Sequence, residues 1–268
     1  MAVNKSELSI FFLVTIAVAL LAIINWLPLA NAAGLVGVTF LAWCFRKESL
    51  SGWVKTGVWV LLVPLAFWVA TYRPAGFSYP HVFSLPGVAD AMPRYEFFVN
   101  LGKGLCGLVL LYFLWAKRHA GEFVAAPKYQ VLVALGSPIV VIALAIFALG
   151  LDLQIKNLEQ IVLFALGNLL IISLAEEVFL RLLLQQPLRN AIANRTANRW
   201  VQELVPLLLV TAIFVAIHSG LSGAAIWIYA LAGFLYGLSY TLSKNIFYPI
   251  AVHFMVNQIH FSFLTYPL

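Results

Sequence analysis

Charge is what this sequence lacks. Only 10% of its 268 residues are charged, where a water-soluble domain carries roughly a quarter. Meanwhile 63% are hydrophobic and the mean hydropathy is +0.97. So little polar surface cannot clothe a globule in water, which leaves a lipid bilayer as the solvent for its apolar faces. Acidic residues are scarcest, 10 against 16 Lys and Arg. The resulting charge of +6 and pI near 9.4 do not point to a nucleic-acid partner. The basic residues fall in short clusters between apolar runs, where they act as topology signals. Cysteine is nearly absent: Cys44 and Cys106 lie far apart in apolar segments. That excludes a disulfide framework or a CxxC metal site and predicts two small buried hydrophobes. Strand periodicity is missing too, which rejects a β-barrel.

What is present is long apolar runs. A spanning helix takes about 20 residues. Runs of that order occupy 8–29, 53–71, 97–116, 129–150, 160–183, 203–219, 222–242 and 246–265, with a shorter one at 32–45 after a break at Leu27-Pro28 and Asn31. The expected fold is an all-α polytopic bundle of about nine transmembrane helices. Lys5, the first run and Ala30-Asn31-Ala32 are similar to a signal peptide. The run exceeds the usual apolar core of about 7–15 residues, so a retained first helix is expected. With the N-terminus cytoplasmic, the inner segments hold Lys5; Arg46, Lys47 and Lys55; Lys117, Arg118 and Lys128; Arg189, Arg195 and Arg199; and Lys244. The outer segments hold only Arg73, Arg94 and Lys156, the bias that the positive-inside rule demands. A multi-pass protein of the cell membrane, inner or plasma, is expected. Residues 72–95, with Pro74, Pro80, Pro86 and Pro93, read as an outer loop, and 188–202 as an inner basic surface helix. Gly233-x-x-x-Gly237 predicts a close helix contact within the protein rather than a dimer face. No feature assigns an oligomeric state.

Two acidic residues, Glu176 and Glu177, sit side by side inside an apolar run. Each carboxylate at a helix centre costs about 2.5–3.5 kcal/mol on insertion scales, so the pair needs a reason. Arg181 follows Glu177 at i+4, within contact on one helix face. Glu177 is then the ion-paired partner, and Glu176, about 100° around the helix, is the one placed for chemistry. A structural ion cluster is the competing reading. The histidines decide between them. His81 and His119 lie in loops and read as ordinary, but His218 shares a helix face with Phe214, and His253 shares one with Asn257. His260 extends that last stripe and reads as a polar residue near the outer surface. At ~1.5 Å per residue, Glu176 lies about 16 Å from Pro187, His218 about 18 Å from Pro206 and His253 about 12 Å from Asn245. Three helices therefore bring Glu, His, His and Asn to a common depth.

The ordered set Glu176-Glu177-x-x-x-Arg181, Phe214-x-x-x-His218 and His253-x-x-x-Asn257 resembles the CPBP family. That family comprises type II CAAX prenyl endopeptidases and bacteriocin-processing or self-immunity proteins, and is also called Abi. The resemblance covers roughly 155–265 and includes the glycine pair; Leu182 departs from it, where the family usually has a small residue. It implies a glutamate-dependent intramembrane protease. Glu176 and His218 would activate a water, His253 and Asn257 would form the oxyanion site, and Glu177, Arg181 and Phe214 would support them. Residues 151–268 would be the catalytic bundle and 1–150 accessory helices. The substrate would be a membrane-associated protein or peptide, with no cofactor. A zinc site built from Glu, His and His is the less favoured alternative, since no HExxH is present. Further rivals are a proton or solute transporter and a non-catalytic immunity protein.

Overall fold

A backbone inside a bilayer finds no water to bond, so helices are the expected solution. The computed structural model describes residues 5–85, 94–115, 124–218 and 220–266. Pro86, Pro93, Lys117, Arg118 and His119 of the sequence reading lie outside the described residues. The fold is all-α and polytopic. Its helices are α1 (Lys5–Ile23), α2 (Leu29–Arg46), α3 (Gly52–Thr71), α4 (Leu101–Leu114) and α5 (Pro127–Leu149). A long helix from Leu158 to Ala193 follows, then α9 (Arg199–Ile217), α10 (Ala224–Ser243) and α11 (Phe247–Phe263). The long helix divides into α6 (Leu158–Gly167), α7 (Leu174–Glu177) and α8 (Gln186–Ala193), joined by two π-helical stretches.

Among the described residues, six helices are long and apolar enough to cross a membrane by length and composition: α2, α3, α5, Leu158–Ala193, α9 and α10. Ser9–Ile23 and α4 are apolar but shorter. In the 17 residues of α11, His253, Asn257, Gln258 and His260 dilute the apolar character.

Three expectations change. Residues 72–95 are not all loop: β1 (His81–Leu85) pairs with β2 (Tyr95–Phe98) in a two-stranded sheet. The run at 97–116 therefore becomes helical only at Leu101, capped by Asn100, whose side chain accepts from the Lys103 amide. Residues 188–202 are not one helix. The chain turns after Ala193, and Asn198 starts α9 by accepting from the Trp200 and Val201 amides, as an N-cap asparagine does. Asn31 does not break a helix either. It sits buried inside α2 and donates to Val69 O at 2.8 Å and Tyr72 O at 3.1 Å, satisfying carbonyls that the end of α3 leaves open.

The chain forms two compact units. The first, 1–83 with 96–116, holds α1–α4. There α2 packs against α1, α3 and α4, Cys106 is buried, and His81 pairs with Glu96 at 2.7 Å. The second, 84–95 with 117–268, holds α5–α11. Within it α10 packs on α5, α9 and α11, and α11 packs on α5 and α6. Asn157 and Gln160 form a capping box at the start of α6, worth about 1 kcal/mol. At the opposite end Glu203 of α9 accepts from Arg189 at 3.1 Å and from Lys244. Lys244 ends α10 in the left-handed conformation, φ +51°, which costs a side chain about 1–2 kcal/mol. The ion pair with Glu203 helps hold it there.

Candidate active site

The two carboxylates sit where the long helix changes pitch. Backbone of π geometry occupies Asn168–Ser173 and Val178–Gln185, with the α turn Leu174–Glu177 between. Such widened turns concentrate at functional sites. Within the first stretch Ser173 Oγ donates to Asn168 Oδ1 at 3.0 Å, five residues apart, the spacing of the π bond itself.

Glu177 and Arg181 are both fully buried. Arg181 Nε donates to Glu177 Oε2 at 2.7 Å, and Nη1 donates to Gln185 Oε1 at 3.0 Å. Gln185 in turn donates to Thr241 Oγ1 on α10 at 2.9 Å. A buried guanidinium needs this many acceptors, because neither charge can borrow water. The glycines make room for it. A Cβ on Gly237 would lie 2.8 Å from Arg181 Nη1, and one on Gly233 would lie 2.5 Å from Phe214 Cδ1. The glycine pair faces α9 and Arg181 inside this unit.

His253 joins the cluster in a way that spacing did not reveal. Its Nδ1 lies 2.8 Å from Glu177 Oε1, and its Nε2 lies 3.9 Å from Glu176 Oε2. Glu177 is therefore not a partner of Arg181 alone; it holds the His253 ring as well. A carboxylate accepts, so Nδ1 carries the proton and Nε2 is turned toward Glu176. The ring is also stacked on Tyr236 at 4.6 Å and 17°. His218 stands at the end of α9, where its Nδ1 lies 2.7 Å from Phe214 O. A carbonyl only accepts, so this nitrogen too is protonated, and Nε2 is left as an acceptor in the neutral ring. Phe214 packs 4.6 Å from the His218 ring and 6.2 Å from that of His253, between the two histidines.

Asn257 Nδ2 donates to Asn168 Oδ1 at 3.2 Å, and Asn168 Nδ2 donates to Phe254 O at 3.0 Å. One amide hydrogen of Asn257 is thus engaged and the other remains for a ligand.

Glu176, His218, His253 and Asn257 all line one cavity of about 560 Å³, together with Phe214. Val141, Ile142 and Ala145 of α5 form an apolar wall opposite. Four more groups belong to this cavity that sequence reasoning did not place. Tyr229 lines it 5.0 Å from the His218 ring, and Tyr236 lines it against His253. The signal for both was their seven-residue spacing, which puts them on one face of α10. His260 lines the cavity as well, with Nε2 3.1 Å from Thr265 O. Tyr266 sits beside it at 5.0 Å. Tyr266 and Tyr95 share a hydrogen bond, and burial pushes both phenols above their ordinary pKa, so the bond joins neutral hydroxyls. Among the described residues, no three or more His, Cys, Asp or Glu side chains are grouped to hold a metal ion.

A carboxylate, two imidazoles and an amide thus converge on one cavity of an all-α polytopic bundle. The sequence profile of the type II CAAX prenyl endopeptidase Rce1-like family matches residues 158–259. Over that segment the chain is similar to the type II CAAX prenyl endopeptidases of the CPBP family. Comparison with curated proteins gave no match, and comparison with solved structures gave none.

Proposed function

We propose that the chain is an intramembrane endopeptidase that cleaves a membrane-associated protein or peptide with a water activated by Glu176 and His218. One observation carries the reading: Glu176, His218, His253 and Asn257, from three helical segments, open on a single cavity with an apolar wall. Peptide hydrolysis needs a base, an oxyanion stabiliser and a proton for the leaving amine. Glu176 takes one proton of the water, while the Nε2 acceptor of His218 holds the other. The water oxygen attacks the scissile carbonyl carbon, and the carbonyl oxygen becomes the oxyanion. The remaining Asn257 amide hydrogen donates to it. His253 adds a second donor when its ring carries a proton on both nitrogens. Glu176, Glu177, Arg181 and that ring then sum to zero charge, the state in which a buried ionic cluster costs least. Glu176 finally passes its proton to the leaving nitrogen as the C–N bond breaks.

Glu177, Arg181, Phe214, Tyr229 and Tyr236 are positioning residues in this scheme. It uses no cofactor, and the separated donors favour it over a zinc site. The convergence of Glu176, His218, His253 and Asn257 on one cavity, rather than their spread along a path, favours it over a transporter. The setting is the cell membrane, with the bilayer as the site's solvent and no nucleic-acid partner.

The test uses full-length protein in proteoliposomes with a labelled farnesylated CAAX peptide and its unprenylated counterpart. In parallel, mass spectrometry compares membrane-protein termini with and without the gene. Cleavage that survives a chelator and is lost in Glu176→Gln supports the proposal. Loss with chelator and rescue by zinc overturns the metal-free mechanism. Solute flux with intact peptides and unshifted termini overturns the protease.

A further inference from the structure

The connection from α5 to α6 is short and extended. Gly150 turns the chain out of α5 at φ +64°. Residues 152–156 then run antiparallel to 262–265. The Gln154 amide donates to Phe263 O at 2.7 Å, Lys156 to Ser262 O at 3.0 Å, and Thr265 to Asp152 O at 3.0 Å, around a bridge between Leu153 and Leu264. Lys156 Nζ clamps the pairing through Leu264 O at 2.7 Å and Gln154 O at 2.9 Å.

All of these bonds leave one edge of the segment. Successive residues of a strand point their N–H and C=O to opposite edges. The amides of Leu153 and Ile155 therefore face away from 262–265, and neither donates a hydrogen bond among the described residues. The two residues are 74% and 66% exposed, so no described residue of this unit covers them. The open edge is also continuous with the reaction site. Leu151, at its start, and Tyr266, just beyond its paired partner, both line the cavity that holds Glu176.

An open edge beside a proteolytic cavity fits one kind of occupant. A helical substrate keeps each carbonyl in an i→i+4 bond and curls its scissile bond away from a nucleophile. An extended substrate exposes it, and main-chain pairing to a strand edge is a sequence-tolerant way to hold a peptide extended. We propose that the outward edge of residues 151–155 takes the polypeptide substrate by strand addition and delivers its scissile bond to the Glu176 cavity. The substrate class is then an extended tail or an unwound helix end with apolar side chains to lie beside Leu153 and Ile155. This inference rests on the protease reading above.

The decisive comparison is Leu153→Pro with Leu153→Ala. Both lose the leucine side chain, but only proline removes the outward N–H, and an edge position tolerates proline. Full-length variants in proteoliposomes are assayed with the farnesylated CAAX peptide and its unprenylated counterpart, and thermal unfolding confirms that each is folded. The expected result is a KM about 3- to 10-fold higher in Leu153→Pro than in Leu153→Ala, the range of one hydrogen bond, with kcat within about twofold. A photoreactive phenylalanine in place of Ile155, in a Glu176→Gln background, reads docking whether or not the bond is cut and whether or not the proline variant folds. Cross-linking to either peptide supports strand addition. Equal KM values in the two Leu153 variants, or no cross-link to a peptide that the wild type cleaves, overturn it and leave the protease reading standing. A cross-link without any cleavage by the wild type keeps the docking edge and sinks the protease reading. Neither cleavage nor cross-link sinks both.

Discussion

Replacing Arg181 with methionine is the perturbation that the buried ionic cluster makes most costly. Arg181 is fully buried and bonds Glu177 at 2.7 Å and Gln185 at 3.0 Å, with the Gly233 carbonyl at 3.4 Å. Methionine fills much of the volume but supplies no donor. Glu177 keeps only the His253 contact, and its charge loses the cation beside it. Breaking one half of a buried pair costs about 3–5 kcal/mol. At roughly 2–4 °C per kcal/mol for a protein of this size, thermal unfolding in detergent should fall by roughly 6–20 °C. A glutamine at 177 added to Arg181→Met removes the stranded charge and still accepts from His253. The double variant should therefore unfold higher than Arg181→Met alone, though below wild type. Differential scanning of the three proteins, with peptide cleavage in parallel, measures this. A double variant no more stable than the single one would refute the argument that the stranded carboxylate carries the cost.

Other outcomes follow from the same geometry. Glu176→Gln should lower kcat by about 10²–10⁴, the usual range for loss of a general base, while its melting temperature drops less than that of Arg181→Met. Gly233→Ala places a Cβ 2.5 Å from the Phe214 ring. It should destabilise by about 1–3 kcal/mol and reduce kcat as well, because Phe214 O holds His218; wild-type turnover in this variant would refute that link. Lys156→Met removes the clamp on Leu264 O, and hydrogen exchange should quicken by roughly tenfold or more at the Gln154 and Thr265 amides.

The polar groups of the site were legible because the rest of the chain is so apolar. Glu176, Glu177, His218, His253 and Asn257 stand out against runs of Leu, Ile and Val, and i, i+4 spacing puts Glu177 beside Arg181 and His218 beside Phe214. Asn168, Tyr229 and Tyr236 did not stand out. Asparagine and tyrosine are common enough in membrane helices that position alone assigns them nothing. The contact of Glu177 with His253 was hidden for a different reason: it joins residues 76 apart, and spacing speaks only within a helix. The two-stranded sheet was hidden in the sequence by nearby prolines, which demote a strand. Its β-forming residues, His81–Leu85 and Tyr95–Phe98, are too few to show alternation.

The π-helical stretches on either side of Glu176 and Glu177 carry a consequence for deletions. A π turn holds one residue more than an α turn. Removing a single apolar residue such as Ile171 would let that turn relax to α geometry. The helix would stay continuous, and its helical content by circular dichroism would barely change. The residue lost is the one that the π turn accommodates, so Glu176 would still face the cavity and Arg181 the glycine seam of α10, whereas a second deletion in the same stretch would re-phase everything beyond it by about 100°. Activity here depends on residue count as much as residue identity. Loss of one residue from Asn168–Ser173 should spare activity, and loss of two should silence the protein as fully as mutating its base.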